Sequence, residues 1–249
     1  EIGLLTNLID INIGDNAFTG PIPSEVAQLT NLVTLSMGGN FFTGTLFSEL
    51  GGSLTKLTHL ALLGNQINGT IPSEIGLLAE LEYLDLAANT FSGTLPSQVG
   101  SLTSVLDFYI DGNRLLGTIP TEIGLWTNLV SFDCDSNQLN GTIPTEFGLL
   151  TARSMSYDFH SNQFTGNLPS ELGNLSSLTH LSVRDNLLTG NIPTEFGKLS
   201  FLELLWLFQN QFNGTIDYCD NFPATPRVDC LQVNCSCCVD PNRVSCDDV

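Results

Sequence analysis

Asparagine recurs along this chain at Asn16, Asn40, Asn65, Asn89, Asn113, Asn137, Asn162, Asn186 and Asn210, at intervals of 24 residues with two of 25. One frame surrounds each, clearest in Leu81-Glu82-Tyr83-Leu84-Asp85-Leu86-Ala87-Ala88-Asn89, which runs on to Phe91, Gly93 and Leu95-Pro96. A unit this short cannot bury its own apolar face, so neighbouring units must stack into a rod with one continuous core. The alternating Leu-x-Leu predicts a short strand with one face inward, and successive strands should pair in parallel roughly 4.8 Å apart. The asparagine stands where the chain leaves the strand. Its amide both donates and accepts, which suits it to hold turn backbone in its own and adjacent coils. Two residues later an apolar side chain is expected to plug the core: Phe18, Phe42, Ile67, Phe91, Leu115, Leu139, Phe164, Leu188 and Phe212. The glycine beyond it (Gly20, Gly44, Gly69 and onward) permits a sharp bend. Proline, a hydroxyl residue and glutamate follow, as in Ile71-Pro72-Ser73-Glu74, and suit the start of a short helical turn.

The Leu-x-x-Leu-x-Leu-x-x-Asn frame resembles the leucine-rich repeat. The Gly-x-Ile-Pro element is similar to its plant-type class, which includes receptor-kinase ectodomains, polygalacturonase-inhibiting proteins and a few antifreeze proteins. The resemblance covers residues 1–217 of the 249. It implies an α/β solenoid: a right-handed superhelix with a parallel β-sheet on the concave face and short helical turns on the convex face. It is specific for fold rather than for function. The chain opens inside a repeat, so a leader and a capping segment are expected upstream. Phe47 replaces the proline of the second coil, and one extra residue falls in Gly51-Gly52-Ser53 and another in Leu149–Met155, both on the convex side.

Residues 218–249 break the pattern and hold Cys219, Cys230, Cys235, Cys237, Cys238 and Cys246. A solenoid needs a terminal cap. A region with so few apolar residues needs cross-links, so three disulfides are expected, with 15 possible pairings. Cys-Ser-Cys-Cys lacks the usual zinc spacing. The ending resembles that of secreted algal leucine-rich-repeat proteins. Cys134, at an inward position, should be a buried free thiol. Glycosylation sequons at Asn68, Asn140, Asn174 and Asn213 point to a secreted or extracellular location, as does a fifth at Asn234 between the cysteines.

The formal net charge of −19 argues against nucleic acid and anionic membrane surfaces as partners. A glutamate row (Glu25, Glu49, Glu74, Glu122, Glu146, Glu171, Glu195), best placed at helix N-termini, accounts for part of it. No apolar run approaches the ~20 residues of a spanning helix. The third, fifth, seventh and eighth positions of each strand frame should face the concave side. They gather an acidic cluster in the middle coils, Asp85, Asp107, Asp111, Asp133, Asp135 and Asp158, beside Tyr83, Tyr109 and His160. The last coil adds Trp206 and Phe208 as an apolar patch. Like charges so close should raise each other's pKa, and such a face suits a protein or peptide ligand of cationic character. No cofactor is expected; calcium is the alternative left open, since hard cations take carboxylate oxygens. No catalytic or metal-ligand spacing joins His59, His160 and His180, so no enzyme is expected.

The leading reading is an extracellular module that binds protein, peptide or glycan, free or as a receptor ectodomain. Its alternatives are a structural wall, matrix or adhesion protein, and ice binding through a second array. That array runs Thr45, Thr70, Thr94, Thr118, Thr142, Asn167, Asn191 and Thr215, with Leu116 interrupting the row beside it.

Overall fold

A computed structural model describes residues 1–152, 155–216, 234, 235 and 238. Among them the nine strand frames form one parallel sheet in sequence order: Asp10–Asn12, Thr34–Ser36, His59–Ala61, Tyr83–Asp85, Asp107–Tyr109, Ser131–Asp133, Met155–Asp158, Leu178–Ser182 and Leu204–Trp206. We number the coils 1 to 9 by these strands. The register is the one the repeat predicts. Asp10, Thr34, His59, Tyr83, Asp107 and Ser131 are consecutive partners, and Ser131 continues to Ser156, His180 and Leu204. Between coils 7 and 8 the register shifts at Met155 and Ser156, which pair with Leu178 and His180 and pass over Thr179.

The asparagines bind each coil to the one before it. In coil 3, Asn65 donates through Nδ2 to the Met37 carbonyl of coil 2 at 3.0 Å and to its own Leu62 carbonyl at 3.0 Å. Its Oδ1 accepts the Phe42 N–H of coil 2 at 2.9 Å. The same reach recurs through Asn210. Asn16, in coil 1, is exposed and bonds only to Ile13 and Gly14. The residue before each asparagine lies in the left-handed region, whether it is glycine (Gly39, Gly64, Gly112) or not (Asp15, Ala88, Ser136, Ser161, Asp185, Gln209).

The core is leucine-rich at both ends and aromatic in the middle, where Phe108, Trp126, Phe132, Phe147, Tyr157 and Phe159 pack with ring centroids 4.7–6.4 Å apart. Trp126 donates its indole N–H to the Val99 carbonyl at 3.0 Å. Cys134 is fully buried and free, its thiol pushed up by burial. Eight of the nine plug residues are buried. Phe18 is the correction: it is 46% exposed, since no earlier coil covers it, and it stacks on Phe42 at 6.0 Å.

The convex side carries five-residue 3-10 turns such as Ser73–Leu77 and Thr121–Leu125. Coil 2 has an α-turn instead, Glu49–Ser53, where its extra residue falls. The hydroxyl residue does not cap the turn backbone as its type suggests. Ser73 donates to the Glu74 carboxylate at 3.0 Å, and the extended proline before it takes the capping position.

A second parallel sheet, not foreseen from the sequence, runs along the flank, with seven strands from Asn68–Gly69 to Gln211–Phe212 among the described residues. At the far end Thr215–Ile216 pairs with Asn234–Cys235, and Cys238 is buried in the core. The remaining disulfide assignments, at Cys219, Cys230, Cys237 and Cys246, lie outside the described residues.

Candidate functional site

Because the inward leucines fix which way each strand faces, the third, fifth and seventh positions line the concave surface as three parallel rows. The third and fifth rows hold an aromatic run: His59 stacks on Tyr83 at 6.0 Å, and Tyr83 meets Tyr109 at 5.7 Å. Register places Asp133 between Tyr109 and Asp158 in the fifth row.

Aspartate at the fifth position has a backbone role that the sequence did not reveal. Asp85 accepts the Ala87 N–H at 3.0 Å, Asp133 the Asp135 N–H at 3.0 Å and Asp158 the His160 N–H at 2.9 Å. Each closes the exit from its own strand.

Two of the expected contact residues are corrected. Asp85 is only 5% exposed, because the Tyr83 hydroxyl donates to it at 3.0 Å and small Ala87 leaves it sunk between coils. Phe208 is 7% exposed, and the Arg184 guanidinium lies 5.9 Å from its ring and 5.3 Å from that of Trp206. The last coil therefore presents a half-buried Trp206 with an arginine over it rather than a bare apolar patch. Tyr83, Asp107, Tyr109, Asp111, Asp133, Asp135, Asp158 and His160 all remain partly accessible.

Burial is the first cause of the cluster's altered acidity, ahead of the mutual repulsion expected from the sequence. Desolvation raises Asp111 to about 6, with the Asp135 charge next. It raises Asp133 to about 8, helped by Asp111, Asp135 and Asp158 against the bond from the Asp135 N–H. It also raises Asp85, and burial raises Tyr83 and Tyr109. The face thus carries less negative charge at neutral pH than its composition implies.

His160 is the meeting point of the cluster. Its Nδ1 lies 2.7 Å from Asp158 Oδ1 and 3.4 Å from Asp135 Oδ2. No linear spacing marks this group. Asp135 and His160 meet because they occupy the same position of adjacent coils.

The described coils thus form a parallel solenoid whose nine-stranded sheet carries rows of polar side chains on its concave face. Residues 80–102, 128–150 and 177–199 match the family model described as Leucine Rich Repeat, and the described residues have the fold of a leucine-rich-repeat solenoid. It is similar to the plant peptide hormone receptor RGFR1, solved in complex with RGF2, at 32% identity and TM-score 0.86, covering 94% of this chain and 38% of that one. A TDR receptor gives 31% identity and TM-score 0.87, with 94% and 40% covered. A plant ice-binding protein gives 26% identity and TM-score 0.70, with 84% and 74% covered. The chain spans about two fifths of the length of these two receptors. No curated protein sequence matches it. No described helix is long and apolar enough to cross a membrane.

Proposed function

We propose that the concave face of coils 3 to 7 binds an extended peptide or protein segment of cationic character, in an extracellular setting and without catalysis. The observation that carries this reading is the run His59, Tyr83 and Tyr109 laid beside the accessible carboxylates Asp107, Asp111, Asp135 and Asp158. Flat rings give contact area at low entropic cost and attract cations through their faces, and the carboxylates add charge complementarity. The RGFR1 likeness supports it, that receptor having been solved with a bound partner. Exposed Asn68, Asn140, Asn174 and Asn213 support an extracellular address.

The test is selection of random dodecapeptides against the purified protein, followed by titration of the selected peptides. We expect Lys- and Arg-containing peptides whose affinity falls with salt, and a loss of roughly tenfold or more on Tyr109→Ala. Selection of acidic or uncharged peptides, indifferent to Tyr109→Ala and Asp107→Asn, overturns the reading.

A second reading has one specific observation in its favour. Thr45, Thr70, Thr94, Thr118 and Thr142 are exposed, and each lays its γ-methyl over the glycine of the next coil (Gly69, Gly93, Gly117, Gly141, Gly166). Five hydroxyls are thereby held in one orientation at one spacing, on a chain that spans 74% of a plant ice-binding protein. Ice growth in the presence of unglycosylated protein tests it. Faceted crystals, lost on Thr118→Tyr, support ice binding, and unshaped discs at high concentration exclude it.

A further inference from the structure

We propose that Asp135, Asp158 and His160 form a binding site for a divalent transition-metal ion of the zinc class on the concave face between coils 6 and 7. The three residues offer one ligand atom each within 4.8 Å of the others. A tetrahedral ion with bonds of about 2.0–2.1 Å holds its ligand atoms roughly 3.3 Å apart. His160 Nδ1 and Asp135 Oδ2 already stand 3.4 Å apart. Small rotations of Asp158 and His160 about their outer bonds would open the 2.7 Å contact between them to the same spacing. One imidazole with two carboxylates is a donor set for zinc and its neighbours in the first transition series, whereas magnesium and calcium prefer oxygen alone. The side chains are 14%, 20% and 28% exposed for His160, Asp135 and Asp158, leaving the solvent side open to water on the ion.

Two observations outside the triad point the same way. Ser182 pairs in register with Asp158 and faces the same side of the sheet; it is 3% exposed and its hydroxyl has no hydrogen-bond partner. Leaving such a group unmet is unfavourable, and a water held on the ion at coil 7 is a suitable partner. Arg184, next to His160 in the seventh row, is the cation placed to neutralise the carboxylates. It turns instead to the rings of coil 9, and among the described residues Asp135 and Asp158 form ion pairs with His160 alone. Among the described residues neither carboxylate is thus paired with an arginine or lysine.

The site shares Asp135 and Asp158 with the proposed ligand-binding face, but its test needs no peptide, so failure of one reading is distinguishable from failure of the other. The test uses the full chain with its cysteines oxidised, freed of metal by chelator and titrated calorimetrically with Zn²⁺, Co²⁺, Ca²⁺ and Mg²⁺. We expect one Zn²⁺ per chain and a cobalt spectrum without thiolate charge-transfer bands. His160→Ala and Asp135→Asn should weaken zinc by about tenfold or more, while His180→Ala leaves it unchanged. A thermal melt of each variant with and without zinc confirms folding: wild type is stabilised by the ion, the two site variants are not. The proposal fails if calcium or magnesium binds as tightly as zinc. It fails equally if zinc does not bind, or binds with thiolate bands and is indifferent to His160→Ala and Asp135→Asn.

Discussion

Single side chains in this molecule matter according to which neighbours they reach. Asn113 accepts the Phe91 N–H and donates to the Leu86, Ile110 and Asp111 carbonyls, all within 3.1 Å. Asn113→Ala should cost about 2–4 kcal/mol by leaving several of these groups unmet, while Asn16→Ala costs almost nothing. Urea midpoints of the two variants decide it, and equal losses would show that the ladder is not what holds the coils. Asp111 makes a pH prediction. Its folded pKa of about 6 stands above the ordinary value of 3.8, so between these two values the folded chain keeps a proton that the unfolded chain has lost. Stability from this group is greatest below pH 4 and falls as pH rises towards 6. With metal removed, Asp111→Asn should match wild type at pH 4 and melt a few degrees higher at pH 7, about 1 kcal/mol after discounting for solvent around a half-buried group. A variant that melts lower at pH 7 contradicts this. At this scale the sequence was only partly legible. The rows of Asp, Tyr and His could be placed by counting, but counting could not show that Tyr83 would cover Asp85 or that Arg184 would cover Phe208. Those outcomes depend on rotamers and on the size of neighbours such as Ala87.

The repeating elements were almost wholly legible, because strand register follows from a period that nine asparagines mark. What the period hid was the flank sheet and the true start of each convex turn. The flank strands are short, and six of the seven end at glycines of positive φ, so they show no apolar alternation to read. A clean comparison exists between two glycines of these elements. Gly117 has φ of +79, and an added Cβ would stand 2.8 Å from the Thr94 methyl. Gly52 lies in the α-turn of coil 2 with nothing within 4 Å of such a Cβ. Gly117→Ala should lower stability by at least about 1 kcal/mol; Gly52→Ala should leave it unchanged or raise it by up to about 1 kcal/mol. Thermal melts that rank the two the other way would refute the assigned backbone.

Taken whole, the rod is a linear array in which stability is shared between coils and their nearest neighbours. Its middle is packed with aromatic rings, and the two tryptophans report on different parts of the rod. Trp126 is fully buried in the aromatic core, and Trp206 sits on the terminal strand. In variants that keep one tryptophan each, the Trp206 signal should change at a urea concentration no higher than that for Trp126. The reverse order would place the stable core elsewhere.

The asparagine bonds between coils all point one way. Each side chain reaches back to the preceding coil and none reaches forward, so the two sides of a coil are chemically unlike. One side offers an amide oxygen seeking an N–H, and the other an N–H seeking an oxygen. A cut that removes later coils strips the last survivor of an acceptor for its own backbone, whereas a cut that removes earlier ones merely idles a side chain that can turn to water, as Asn16 does. The array therefore has a direction, like a zip fastener, and shortening it from opposite ends by the same number of coils should give two proteins of unequal stability.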